Sequence, residues 1–257
     1  MSEAEHTHRL KDDAKLQPRG YYMRVDFAPS ISMRRKVGIQ FAEKISEYLN
    51  LDETTTRDTE WRYLHRREGT DSKVQFSVEQ NNVQAQAHFP TDAKEWFEER
   101  FRFFFREFRN QFTPQFILSS SVMIRGELDV DGDARTFLAN HAINVKPGQF
   151  GRPIHGMGLR LFFPPYQLKP KSKRGKATTV EWQINVKIES LLEDPGKLFL
   201  EADADWNFPK EWNDKQIDLV ILHLEDVSSF LDKTIIPYLC NSKTGDSDGE
   251  NDGDDHT

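Results

Sequence analysis

Three carboxylates recur at every second position in Glu201-Ala202-Asp203-Ala204-Asp205. On a strand, side chains two apart point to the same face, so this spacing sets three acids in a row. Hard cations such as Mg²⁺ or Ca²⁺ need clustered oxygens, and a metal-dependent hydrolase is one chemistry the row suggests. Its acids are spread too far along the strand to chelate one ion closely. A neighbouring strand would have to help, with Glu181 or Glu189 as donor. The sequence therefore predicts no metal site and no cofactor, and retains the trio as binding residues. Asp129-Val130-Asp131-Gly132-Asp133 begins like a calcium loop. An EF-hand has Gly at position 6 and a bidentate Glu at position 12. Here Gly132 stands at position 4 and Asn140 at position 12, so a turn and helix cap are expected.

Two basic segments come next. Gly148, Gly151, Gly156 and Gly158 surround Lys146, Arg152 and His155. Glycine-rich backbone with cations nearby suits an anion, but no Gly-Lys-Ser/Thr of a phosphate loop is present. A surface loop is the expectation, with Arg152 and His155 as its binding candidates. Lys169, Lys171, Lys173, Arg174 and Lys176 crowd a second segment. They suit nucleic-acid phosphates or an acidic partner. For covalent catalysis the sequence offers little. Ser119, Ser120 and Ser121 fall in a predicted strand, and His223 falls on a predicted helix. Cys240 has no base near it in sequence, and as the single cysteine it excludes an intrachain disulfide and a Cys-based zinc site. No catalytic residue is predicted, and the balance favours a protein that is not an enzyme.

The elements that position these residues follow from a repeat. Val83-Gln84-Ala85-Gln86-Ala87-His88-Phe89-Pro90 is echoed by the segment from Leu200 to Pro209. Both alternate apolar and polar residues, end in Phe-Pro and lead into a helix-like stretch. Gly20–Phe27 reads as a strand, and a helix capped by Ser32 runs to Leu49 with Val37, Phe41, Ile45 and Tyr48 on one face. A polar connection covers 52–58, and Trp61 and Tyr63 open a strand. A hairpin follows, turning at Asn81-Asn82 with positive φ. Thr91 or Asp92 caps a helix over 93–112, whose stripe Phe97, Phe101, Phe104, Phe105, Phe108 and Phe112 is wide enough to bury against a sheet. Arg102, Arg106 and Arg109 form its solvated edge. The second half runs through strands at 116–128, 158–163, 180–188 and 198–204, a short helix capped by Asp133 and a final helix over 217–239.

Each half thus reads β-α-β-β-β-α. Trp61 corresponds to Leu159, a shift of 98, and Pro90 to Pro209, a shift of 119, so about 20 residues are inserted between these points. The basic stretch within 164–178 is the natural place. The expected fold is α+β: internally duplicated β-α-β-β-β-α repeats forming a pseudo-symmetric antiparallel sheet backed by helices. The order is similar, in topology alone, to the duplicated architecture of TATA-binding proteins and to helix-grip folds. Residues 1–18 are expected to be flexible, 19–240 to form one domain (repeats 19–113 and 114–240), and 241–257 to be a disordered acidic tail.

With helices on one face, the other would present Gln75, Ser77, Glu79, Gln84, Gln86 and His88 from the first hairpin. The second would add Glu181, Gln183, Asn185, Lys187, Glu189, Glu201, Asp203 and Asp205. One half of this face is then neutral and amide-rich, the other acidic. It suits a protein or peptide partner with a basic patch and lacks the cations duplex DNA requires.

Composition sets limits on the class. In 257 residues, 37% hydrophobic with 19 Phe and 5 Trp, there is enough for a real core. The tail holds six acids and one Lys, so it supplies −5 of the net −7 and leaves the body near neutral. No run approaches the roughly 18 apolar residues of a membrane span, and no apolar leader core stands at the N-terminus. A cytoplasmic protein without membrane contact is expected.

The closing part of the chain resembles a sporadically distributed family of uncharacterised bacterial cytosolic proteins of similar length. The residues that carry the likeness are Ala202-Asp203-Ala204-Asp205-Trp206 and the helix from His223 through Phe230 to Ile235. The resemblance implies a bacterial accessory protein, for example in defence or toxin control, and assigns no catalytic residues. The function expected is a non-enzymatic binding or regulatory module that recognises a protein or peptide on its polar sheet face. The alternatives are nucleic-acid binding through 169–176 and metal-dependent hydrolysis through Glu201, Asp203 and Asp205.

Overall fold

A computed structural model describes residues 8–11, 13–143, 155–168, 178–180 and 182–240. The chain forms β1 (Arg9–Leu10), β2 (Gln17–Ala28), α1 (Arg35–Leu49), β3 (Glu53–Thr56), β4 (Glu60–Arg66), β5 (Lys73–Glu79), β6 (Asn82–His88) and α2 (Lys94–Phe112). It continues through β7 (Phe116–Asp131), α3 (Ala134–Leu138) with a π-helical turn over Ala139–Ile143, β8 (Gly158–Phe163), β9 (Tyr166–Leu168), β10 (Thr178–Val180), β11 (Trp182–Ser190) and β12 (Lys197–Glu211). It closes with α4 (Asp214–Phe230), a second π-helical turn (Leu231–Ile235) and α5 (Ile236–Cys240). The fold is α+β, built on an antiparallel sheet in the order β3-β4-β5-β6-β2-β7-β12-β11-β8, with β1 pairing the end of β7. Outward from the central β2–β7 pair, each side continues with the strands that follow its own first helix. β9 and β10 form a separate two-stranded ribbon.

Alternation explains the layering. Tyr21, Met23, Val25 and Phe27 of β2, Val122, Ile124 and Leu128 of β7, and Leu198, Leu200, Ala202 and Ala204 of β12 are all buried. The helices bury against this face. The Phe stripe of α2 fills the space between them: Phe104 meets Phe41 of α1 at 6.0 Å and Phe76 of β5 at 4.8 Å between ring centroids, and Phe108 meets Phe27 at 5.2 Å. Burying one such side chain is worth about 1.5–3 kcal/mol. Close approach also needs a gap: a Cβ on Gly38 of α1 would lie 2.7 Å from the Trp61 indole nitrogen. Through that gap the Tyr63 hydroxyl donates to the Gly38 carbonyl at 3.1 Å.

The boundaries differ from expectation where tertiary contacts compete for local signals. Arg9–Leu10 pair with β7 and Leu10 is buried, and β2 begins at Gln17, so the ordered sheet starts before position 19. Arg34, not Ser32, precedes α1, with no side-chain cap. Tyr48 is exposed and stacks on Phe103, while Leu49 takes the buried place. Residues 53–56 form strand β3 instead of a polar connection. The β5–β6 turn centres on Gln80-Asn81, and neither residue has positive φ. Ala93, without a side-chain cap, precedes α2, and Thr91 and Asp92 instead accept from the Arg67 guanidinium, at 2.8 and 2.7 Å. Val180 belongs to β10. β12 continues through Pro209 to Glu211 across a register shift between Asn207 and Lys210, the kind of irregularity at which a strand tolerates proline. The final helix starts at Asp214 and is interrupted by its π-helical turn.

Arg102, Arg106 and Arg109 are not a solvated edge. Arg102 and Arg106 both reach Asp218 of α4, at 3.0 and 3.1 Å, and Arg109 reaches Asp214 and the Trp212 carbonyl. They join α2 to α4.

Candidate functional site

Sheet register decides which polar side chains become neighbours on the face the helices leave open. Across the middle of that face runs Gln75, Gln86, Tyr22, Met123, Asp203 and Asn185, one from each of six successive strands. Leu64 and Phe162 extend this row to either side. It contains one carboxylate and no cation. On one flank lie Arg62, Ser77, Gln84, Arg24, Ser121, Asp205 and Gln183. On the other lie Arg66, Lys73, His88, Gly20, Arg125, Glu201, Lys187 and Arg160.

The predicted binding residues Gln84, Gln86, His88, Glu201, Asp203 and Asp205 therefore share one face but fall into two groups. Strands β2 and β7 stand between them. Gln86 and Asp203 are three strand spacings apart, about 14 Å, with Tyr22 and Met123 between. The second half of the face is not an acidic field. Glu201 sits between Arg125 and Lys187 and accepts from the Arg125 Nε at 2.6 Å. Glu189 pairs with Lys187 at 2.9 Å. Asp205 accepts from the Gln183 amide at 3.4 Å. Asp203 is opposite only Met123 and Asn185. Partial burial, then the charges of Asp205 and Glu201, push its carboxyl above the ordinary range. Burial also raises the neighbouring Tyr22 phenol.

Beyond the expected Lys187 and His88, this face also carries Arg24, Arg62, Arg66, Lys73, Arg125 and Arg160. Arg24 donates twice to Asp26 Oδ1, and the Ser119 hydroxyl donates to Asp26 Oδ2 at 2.6 Å. Burial, and then the nearby Lys73 and Arg125 charges, lower the pKa of His88. At the β3–β5 corner a depression of about 350 Å³ is lined by Arg57, Arg62, Arg66 and Lys73 together with Glu53 and Glu60. Sequence reasoning missed Tyr22, Arg24, Met123 and Arg125. The signal was present in the alternation of both strands, but only their central position gives those residues weight.

The serine triplet divides between the two faces. Ser119 and Ser121 lie on the open face, while Ser120 is buried and its hydroxyl is 3.0 Å from His223 Nδ1. His223 stacks on Trp206 with ring centroids 3.8 Å apart and planes within 2°. Burial lowers its pKa to about 4. Ser120 and His223 are only 1% and 3% exposed, which makes this pair a core contact and not a nucleophile–base dyad open to substrate.

Asp131 ends β7, and Asp133 caps α3 by accepting from the Thr136 amide. Among the described residues, no group of three or more His, Cys, Asp or Glu side chains is placed to hold a metal ion, and no helix is long and apolar enough to cross a membrane. His155 is exposed. Lys146, Arg152, Glu181, the basic residues Lys169, Lys171, Lys173, Arg174 and Lys176, and positions 241–257 lie outside the described residues. What the structure does describe is the ribbon that leads to the basic segment. β9 and β10 continue the β8–β11 pair beyond Pro164-Pro165, with registers differing by one residue. Neither a scan against protein-family models nor a search of curated proteins finds a match to this chain.

Proposed function

We propose that the protein is a non-enzymatic binding or regulatory module whose open sheet face receives a segment of a protein partner. The observation that carries this reading is the central row Gln86-Tyr22-Met123-Asp203: amide, phenol, thioether and carboxyl side by side, without a cation, on a face the helices leave free. Amide and hydroxyl groups there offer directional hydrogen bonds, and Tyr22 and Met123 offer adaptable apolar contact. Asp203 has no ion pair among the described residues, so a cationic side chain of the partner would find an acceptor there. Bringing a carboxylate into partial burial costs stability unless something pairs with it, which is the behaviour of a residue kept for a ligand. The charged rows on either side would act as a rim that sets register and rejects wrong partners.

The test is affinity capture of the full chain from its own cells, with nuclease treatment and separate assays for protein and nucleic acid. We expect one stoichiometric protein, retained after nuclease and lost when Gln84→Ala, Gln86→Ala and Asp203→Ala are combined. Nucleic acid recovered alone and released by salt would overturn this reading. It would favour the second one, in which the basic residues Lys169, Lys171, Lys173, Arg174 and Lys176 bind nucleic-acid phosphates. That second reading predicts affinity falling steeply with salt.

A further inference from the structure

The two ends of the sheet are finished differently. At one end β3 has four residues, Glu53 and three Thr, and α1 packs beside it. A short, polar strand of this kind blunts an edge. At the other end β8 is Gly158-Leu159-Arg160-Leu161-Phe162-Phe163, longer and mostly apolar. Among the described residues, no strand pairs with its outer edge. Its helix-side residues Leu159, Leu161 and Phe163 are only partly buried, whereas Ile184, Val186 and Ile188 on the adjacent β11 are fully buried. On the open face, Phe162 is 57% exposed. An apolar edge strand of this kind is a template for another strand.

We infer that β8 pairs antiparallel with β8 of a second copy of this chain, joining the two sheets into one across a two-fold axis. The sequence of β8 selects both the partner and the register. A two-fold axis perpendicular to the sheet keeps each face continuous, so a residue can lie opposite only a residue of the same parity. Centring the axis on Arg160 sets that guanidinium opposite its own copy, a like-charge pair that disfavours the ladder. Centring it on Phe162 leaves only 161–163 paired within the strands and brings Pro164, which cannot donate, opposite Arg160. Centring it on Leu161 pairs 159–163 in full. Leu159 then faces the copy's Phe163 on the helix side, and Leu161 faces itself. On the open face Arg160 lies opposite Phe162 twice, a cation against an aromatic ring at each site. The strand is self-complementary in this register, as an interface between identical copies requires. This inference stands apart from the open-face reading, since it uses the sheet's edge.

The test is sedimentation equilibrium of the full chain at tens of micromolar, set against the chain mass of 30.0 kDa. The wild type should sediment at twice that mass. Phe162→Lys places a lysine opposite Arg160 at both symmetric positions and should raise the dimer dissociation constant at least about tenfold. Phe162 is exposed, so circular dichroism should show this variant folded. Combining Arg160→Glu with Phe162→Lys sets opposite charges in those same positions and should restore the dimer. A monomeric wild type would overturn the inference. So would a dimer that Phe162→Lys leaves intact, or a loss that the charge swap fails to reverse.

Discussion

His223 illustrates how little a residue's type says about its role. It is a buried imidazole beside a serine hydroxyl, yet it is enclosed by Trp206 and the core. Its measurable consequence is in stability. Burial holds the folded pKa near 4 against a reference value of 6.5. Above pH 6.5 the ring is neutral in both folded and unfolded chains, and its contribution is full. As pH falls from 6.5 towards 4, the unfolded chain takes up a proton that the folded chain does not, and stability falls. Between pH 7 and pH 5 this loss is about 2 kcal/mol. Urea denaturation at the two values should show it. His223→Phe combined with Ser120→Ala keeps apolar packing and removes both polar groups, so that variant should lose distinctly less over the same interval.

At the scale of elements, α2 is the clearest case of sequence fixing structure. Phe97, Phe101, Phe104, Phe105 and Phe108 recur at helical spacing and are buried, while Phe112 at the end of the stripe is partly buried. Phe104 touches both α1 and β5, so Phe104→Ala should destabilise the protein by about 3–5 kcal/mol in equilibrium unfolding. Helix starts were far less legible. Ser32, Thr91 and Asp92 all have the chemistry of a cap. Arg67, distant in sequence, draws the last two away from α2. The helical pattern of α2 alone places its arginines on a solvated edge, since their acidic partners lie on α4, more than a hundred residues later.

At the scale of the whole molecule, strand order sets a gradient of stability. β2 and β7 lie at the centre, bonded on both edges, while β3 and β8 end the sheet. Amide hydrogen exchange should therefore be slowest in β2 and β7 and fastest in β3. If β8 is paired in a dimer, its outward amides should be protected at high protein concentration and exchange faster on dilution. The same order makes the open face. Neither hairpin alone creates the row from Gln86 to Asp203, because β2 and β7 supply its middle.

What the sequence determined by itself was the period of each element and, from it, which side chains share a face. Alternation sorts residues within one strand by local geometry, and the helical stripe of α2 does the same. It therefore placed Glu201, Asp203 and Asp205 together, and Gln84, Gln86 and His88 together. Only the tertiary structure decided who stands beside them. Register and strand order are long-range pairings, so Arg125 and Lys187 meet Glu201, and Tyr22 and Met123 separate the two predicted groups. The charge of a surface is a property of neighbours in space, and on a sheet those neighbours come from other strands.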